Sequence, residues 1–220
     1  MIVKIVCIFV TLFVFVSCKN DLKKNRFIDE RDGNDYEIVQ IGDRFWMAEN
    51  LNYKMDSSWC YDNEEHHCRK FGRLYQWREA ISACPDGWNL PSFEDFFSLV
   101  NYVDSVMNGK KNVLERECTW ACGQLSVFAG KYLKTQTEWI GLGNGTDLFG
   151  FSAKPAGFLG QVDAQNHFIW LNEKTSFWST KISDYEKDPF IFLLSSDDVV
   201  DFYSVSSRSG ASIRCVKSKN

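Results

Sequence analysis

The sequence lacks a strong excess of either charge, because 25 Lys and Arg residues stand against 29 Asp and Glu residues, a net charge of -4. No general positive field is present to hold a polyanion, so nucleic acid is excluded as the expected partner. Biased composition is also missing, since 45% of the residues are hydrophobic and 25% are charged. These values exclude a disordered, collagen-like or coiled-coil chain and indicate a folded domain.

Recognisable catalytic motifs are missing as well. The chain has only three His and contains no GxSxG, HExxH or P-loop pattern. Asp197, Asp198 and Asp201 could act as paired acids or bind Ca²⁺, but such residues are typical turn formers at the tip of a predicted hairpin. The sequence therefore predicts a non-catalytic protein without a cofactor or metal, with an enzyme of unknown type as the less favoured alternative.

No hydrophobic run is long enough to span a bilayer. The longest, residues 5–16, has about a dozen residues, whereas a spanning helix needs ~20. Its position after Lys4 predicts a signal peptide over residues 1–17. Residues 15–18 (FVSC) resemble a bacterial lipobox, which implies cleavage before Cys18 and lipidation of that residue, with simple secretion and a free thiol as the alternative. Residues 18–30 then form a lipidated tether, and the protein is expected on the cell envelope, at the outer membrane.

Eight cysteines are present, and six remain after Cys7 leaves with the signal peptide and Cys18 takes lipid. An even number in an exported chain indicates disulfides, although fifteen connectivities are possible. Spacing makes one set economical, namely Cys60 with Cys68, Cys118 with Cys122, and Cys84 with Cys215. A metal site at Cys60, Cys68 and residues 64–67 is the alternative, but no CxxC pattern supports it.

Local patterns place helices early in the chain and strands late. Residues 36–41 and 44–48 predict two strands joined by a tight turn. Residues 72–81 carry a helical stripe, Ser92 is a candidate N-cap for a helix that ends before Asn108, and a shorter helix is expected around residues 125–133. The later strands are predicted at residues 168–171, 177–179, 190–194, 199–203 and 212–216, with a turn at 195–198. This order predicts an α+β fold.

Several segments together resemble one family in the same order. They are residues 42–53 (GDRFWMAENLNY), 59–61 (WCY), 71–77 (FGRLYQW), 84–92 (CPDGWNLPS), 150–158 (GFSAKPAGF), 177–180 (FWST) and 212–217 (SIRCVK). This pattern is similar to the Fibrobacter succinogenes major paralogous domain, over residues 31–220. The resemblance implies a C-type-lectin-like domain: chain ends brought together, one or two main helices packed on small antiparallel sheets, and a long loop region rich in Gly and aromatic residues. It also supports the Cys84 to Cys215 pairing, because the segments that carry these residues are neighbours in that fold.

The resemblance implies no activity, because the biochemical function of the family is not established. The Ca²⁺-dependent sugar motifs of true C-type lectins are absent, so functional information is expected in the aromatic residues: 18 Phe, 8 Trp and 8 Tyr. Five of them near the Gly-rich region are candidate ligand-binding residues, with burial in the core as the alternative: Trp139, Phe149, Phe158, Trp170 and Trp178. The expected function is binding of a polysaccharide or another envelope protein. A structural scaffold with protein partners only is the alternative.

Overall fold

A computed structural model describes residues 25–109, 121–162, 165–184 and 187–218. Thirteen strands occur in these ranges: β1 (Asn25–Ile28), β2 (Asp35–Ile41), β3 (Arg44–Met47), β4 (Ser58–Trp59), β5 (Leu74–Gln76), β6 (Ala121–Ser126), β7 (Ala156–Val162), β8 (Gln165–Leu171), β9 (Lys174–Ile182), β10 (Pro189–Ser195), β11 (Val200–Ser204), β12 (Gly210–Ala211) and β13 (Val216–Ser218). The α-helices in these ranges are α1 (Glu65–Phe71), α2 (Trp77–Ala83), α3 (Phe93–Asn108) and α4 (Ala129–Leu133), and a 3-10 turn spans Tyr61–Asn63. The predicted α+β class is confirmed, and sheet predominates.

The strands form two sheets. The first is antiparallel in the order β1-β2-β3-β13, so strands from both ends of the described chain share one sheet. The second runs β4-β5-β12-β7-β9-β10-β11-β6, and β8 pairs with β7 outside this path. The contact between β7 and β9 is parallel, and the other pairings are antiparallel. Within the described ranges, no helix is long and apolar enough to cross a bilayer.

Helix α3 follows its sequence signals closely. The hydroxyl of Ser92 accepts a hydrogen bond from the Asp95 N–H at 3.1 Å, and the Asp95 carboxylate accepts one from the Ser92 N–H at 2.9 Å, which completes a capping box. Gly109 ends the helix in the left-handed region, at φ 65°. The apolar stripe of α3 is buried against one face of β9, β10 and β11. On that face lie the side chains of Phe177, Phe192 and Phe202.

Two of the predicted helices begin later than expected. Residues 74–76 form β5, because Gln76 and Tyr75 pair with the short strand β12, and the helix starts only at Trp77. Residue 125 lies in β6, and α4 begins at Ala129, where the Ser126 hydroxyl accepts the N–H of Ala129 at 2.9 Å. In both places, pairing with a strand distant in sequence overrides the local periodicity.

The last predicted strand, residues 212–216, is also shorter than expected. Only its final residue belongs to β13. Ser212 instead makes an isolated pairing beside β9: its N–H donates to the Ser176 carbonyl at 2.9 Å, and its carbonyl accepts from the Trp178 N–H at 3.1 Å. This segment therefore joins the two sheets.

Candidate functional site

Two of the three expected disulfides are present in the structure. Cys60 bonds to Cys68, and Cys84 bonds to Cys215 across 131 residues of sequence. The expected partners Cys118 and Cys122 lie outside the residues whose side chains are described, as does the lipidation residue Cys18. Among the described residues, one group of metal-ligating atoms is close together, Cys60, Glu65 and Cys68, but its two sulfurs are bonded to each other. It therefore offers no thiolate to a metal ion.

Three of the five candidate aromatics lie in the core. Trp178, Trp139 and Phe158 are 0%, 4% and 6% exposed. The Trp178 indole N–H donates to the Tyr75 carbonyl at 2.6 Å, and the Trp139 indole N–H donates to the Thr135 hydroxyl at 3.1 Å. The expectation that these three rings present a binding surface is corrected by their position: each fills space between packed elements, and the two indole N–H groups have internal partners.

The other two candidates are half-buried. The Phe149 ring packs edge-on against Tyr102, with 6.0 Å between ring centroids, and belongs to the margin of the α3 core. Trp170 stacks on Phe158 at 5.6 Å with 28° between the planes. Trp170 is also partly exposed, and a charged side chain, Lys174, lies over its ring.

Strand alternation defines the surface on which Trp170 lies. Side chains two residues apart on a strand share a face, and residues opposite each other on neighbouring strands lie side by side. Ile191 stands opposite both Trp178 and Tyr203, and Leu193 stands opposite both Ser176 and Asp201. These residues therefore form two rows on the face of the sheet that points away from α3.

We call the partly exposed part of this surface the aromatic face and define it by Trp77, Trp170, Lys174, Asp201 and Tyr203. The Trp77 ring lies 5.6 Å from that of Trp178, so α2 contributes one edge. Lys174, in the row beyond Ser176, places its ammonium 4.4 Å from the centroid of the Trp170 ring. The face thus combines three aromatic side chains with one cation and one carboxylate.

The electrostatics of the face reflect partial desolvation. Burial raises the pKa of Asp201, the Asp197 charge raises it further, and Lys174 opposes the shift. Burial also raises the pKa of Tyr203, and the neighbouring Asp201 adds to that effect. A hydroxyl and a carboxylate that are partly shielded from water form stronger hydrogen bonds with a ligand than fully exposed groups do.

The backbone holds Trp170 in an unusual conformation. Its φ is 67°, a left-handed value that is uncommon for a residue other than Gly. It faces Gly157, at φ 75°, between the regular pairs Phe158–Ile169 and Ala156–Leu171. Such backbone positions persist only where the surrounding structure fixes them, so the ring is placed by the ladder between β7 and β8.

The sequence did not indicate that Trp77, Tyr203, Lys174 and Asp201 share the aromatic face with Trp170. The alternation of Asp201 and Tyr203 along one strand was visible and indicates a shared face. The contribution of Trp77 depends on α2 packing across the sheet, which no local pattern reveals.

Comparison with known proteins gives one match. A family model, the Fibrobacter succinogenes major domain, matches residues 39–217, which include both observed disulfides and the aromatic face. Neither the curated proteins nor the solved structures provide a match. Because the family model covers more than half of the 220 residues, the chain belongs to the Fibrobacter succinogenes major domain family.

Proposed function

We propose that the chain is a non-catalytic lipoprotein, anchored through Cys18 to the outer membrane of a bacterial cell envelope, and that its domain binds a polysaccharide. The observation that carries the binding proposal is the aromatic face. Its half-buried rings Trp77, Trp170 and Tyr203 pack against the same core cluster, and Lys174 lies over the Trp170 ring. The export and anchor proposals rest on the apolar start of the sequence and on residues 15–18.

We also propose the finer fold assignment, a C-type-lectin-like arrangement. Three features support it: β1 and β13 lie in one sheet, α3 packs on the second sheet, and Cys84 is bonded to Cys215. In such an arrangement the sheet and loops distant from the chain ends are free to contact a ligand.

The chemistry of the face suits sugar units of a polysaccharide. Aromatic rings offer apolar surfaces that match the C–H faces of a pyranose, and a carboxylate and an ammonium hydrogen-bond its hydroxyl groups. The Trp170 and Trp77 rings are already held by Phe158 and Trp178, so these two side chains lose little freedom on binding. A pre-packed, mixed apolar and polar surface is therefore expected to bind a sugar unit weakly.

Retention on insoluble polysaccharides tests the proposal. Purified full chain in detergent is expected to be retained on at least one of cellulose, xylan, chitin or peptidoglycan, and Trp77→Ala and Asp201→Asn each weaken retention about tenfold. Trp59→Ala is the matched control, because Trp59 is also half-buried but packs in a different cluster with Tyr61 and Leu74. Absence of retention on every polysaccharide and on a glycan array, with the fold intact, would sink the proposal.

A second candidate function is a scaffold with protein partners only, and one surface favours it. Leu142 is fully exposed and Ile140 is 56% exposed, beside Ser196 and Asp197 at the β10–β11 turn. Exposed aliphatic side chains of this kind mark many protein contacts. Crosslinking in intact envelopes is expected to give a discrete product that Leu142→Asp abolishes, and absence of that product rejects this candidate.

A further inference from the structure

A polar cavity lies on another part of the molecule and shares no residue with the aromatic face. It has a volume of about 150 Å³ and lies between the start of β2, the loop after β3, the end of α1 and the loop before β7. Its lining includes Glu49, Asn52, Arg69, Lys154 and Arg214. This volume is below the ~300–1,000 Å³ of sites for drug-sized molecules, so it suits a ligand of about one sugar ring.

A buried cation forms the floor of the cavity. Arg214 is fully buried, and its donors bind the Asn50 carboxamide oxygen and the carbonyls of Met47, Phe151 and Ser152. Among the described residues, this guanidinium forms no ion pair, but the carboxylates of Asp147 and Glu49 partly oppose the effect of burial on its pKa. Burial lowers its pKa to about 9, so the group stays charged at neutral pH.

The rim adds further positive charge. Lys154 donates to the Lys70 carbonyl at 3.0 Å, and Lys70 forms an ion pair with Glu138 at 3.0 Å. Arg69 is exposed and forms no ion pair with any described residue.

The acidic groups of the lining offset this charge only in part. Asp35 is paired with Arg26 at 2.6 Å, and Glu49 accepts the Glu37 N–H at 2.8 Å. Glu49 keeps its charge, and against it stand Arg69, Lys154 and Arg214, so the lining carries a surplus of cations that favours an anionic ligand.

The cavity also presents an unmet acceptor. The Asn52 side-chain oxygen is buried and has no hydrogen-bond partner in the described structure. A buried acceptor without a donor is unfavourable, so a ligand that donates a hydrogen bond there gains affinity. Acetate has no donor for Asn52 and Glu49, whereas a neutral sugar leaves the cations unmatched.

We propose that this cavity binds a carboxylate-bearing sugar unit, a uronic acid. The carboxylate pairs with Arg69 and the adjoining cations of the rim, and ring hydroxyls donate to the Asn52 oxygen and to Glu49. The assignment is independent of the aromatic face, because it needs a single sugar unit and none of the aromatic-face residues. It adds a second, charge-selective site to the domain.

Calorimetric titration of the purified full chain tests this site with four probes. Sodium glucuronate is expected to bind with a dissociation constant on the order of 1 mM, and glucose, sodium acetate and sodium glutamate at least tenfold more weakly. If acetate binds as tightly as glucuronate, the site recognises only the negative charge. If glutamate binds more tightly than glucuronate, the site recognises amino acids. Either result, or no binding of glucuronate, overturns the proposal.

Variants locate the binding within the cavity. Arg69→Ala is expected to weaken glucuronate binding about tenfold, because it removes a charge-assisted hydrogen bond from an exposed side chain without disturbing the core. Asn52→Asp is expected to weaken it similarly by placing a negative charge beside the bound carboxylate. Arg78→Ala is the matched control, since Arg78 is an exposed arginine on α2 outside the cavity. Equal effects of Arg69→Ala and Arg78→Ala would reject the site.

Discussion

Arg214 and Asn50 are 164 residues apart in sequence and form a two-donor contact inside the protein. The Arg214 Nη2 and Nε atoms lie 2.6 and 3.2 Å from the same Asn50 side-chain oxygen. The Asn50 amide nitrogen in turn donates to the Phe71 carbonyl at 2.8 Å. One asparagine therefore links the segment before β13 to the end of α1.

The Arg214 network predicts that Arg214→Lys is strongly destabilising. Lysine has three donors on a flexible stem and cannot replace the planar fork that binds Asn50 and three carbonyls. We expect a loss of about 3 kcal/mol or more in the free energy of unfolding, measured by urea denaturation. Arg208→Lys, at an exposed position, is the control and should change stability by less than about 0.5 kcal/mol. Equal stability of the two variants would contradict the role of the network.

The two observed disulfides are expected to differ in their contribution to stability. In the chain-entropy model the bridge from Cys84 to Cys215, with 131 residues of separation, contributes about 5 kcal/mol, and the bridge from Cys60 to Cys68 about 2.5 kcal/mol. Denaturation of the paired Cys→Ala variants, C84A/C215A and C60A/C68A, measures this difference. If removal of the short bridge proves more harmful, local packing rather than loop entropy determines its effect.

The α3 capping box predicts the effect of a small surface change. Ser92→Ala removes the acceptor for the Asp95 N–H and should lower the free energy of unfolding by about 1 kcal/mol. Ser98→Ala, at an exposed position within the same helix, is the control and should have little effect or a slightly stabilising one. Thermal or urea denaturation distinguishes these outcomes.

Tyr36 predicts a loss of stability at alkaline pH. Burial raises the pKa of its hydroxyl to about 12, so the folded protein retains a proton that the unfolded chain releases near pH 10. The contribution of the protonated Tyr36 hydroxyl to the free energy of unfolding is complete below pH 10 and is lost as the pH rises through 12. Relative to Tyr36→Phe, the wild type should lose up to about 1 kcal/mol between pH 7 and pH 10.5.

The comparison with Tyr36→Phe isolates this group, because other titrating residues are the same in both proteins. The substitution itself removes the acceptor of the Asn52 N–H, a hydrogen bond of 3.0 Å, and so lowers stability at pH 7. Tyr102→Phe, at an exposed tyrosine, serves as the control. A constant difference between wild type and Tyr36→Phe across this range would contradict the prediction.

Lipidation at Cys18 remains a prediction from the sequence. In a bacterial host, labelling with a palmitate analogue should mark the wild-type chain, and Cys18→Ser should abolish the label and release the protein from the membrane fraction. Cys7→Ser is the matched control, because Cys7 lies within the expected signal peptide and should leave the label unchanged. Label on the Cys18→Ser chain would place the lipid elsewhere.

The features that could be predicted from the sequence depend on local chemistry. Ser92, Asp95 and Gly109 specify the two ends of α3 within a few residues of sequence; the helix begins where expected and ends one residue later, at Asn108. The α+β class and the pairing of Cys84 with Cys215 also agree with the structure. These predictions succeeded because their physical causes act over short distances or were implied by the family resemblance.

The features that could not be predicted depend on contacts between distant segments. The spacing of Leu74, Trp77 and Ile81 fits a helix, yet Leu74 is in a strand and Ile81 is 59% exposed. Trp178 is buried without an unpaired indole N–H because that group donates to the Tyr75 carbonyl, 103 residues away in the sequence. The polar cavity combines residues from five separate segments, so no spacing pattern reveals it.

The position of β1 determines how the domain responds to mechanical force. Among the described residues this strand lies at the edge of its sheet and pairs only with β2, from Asn25 to Ile28; it is outside both observed disulfide loops. Tension applied at Asn25 therefore acts on four residue pairs of an antiparallel ladder, which open one after another. A pull on the preceding segment is expected to lengthen it by peeling β1 away first, while the region closed by Cys84 and Cys215 stays folded.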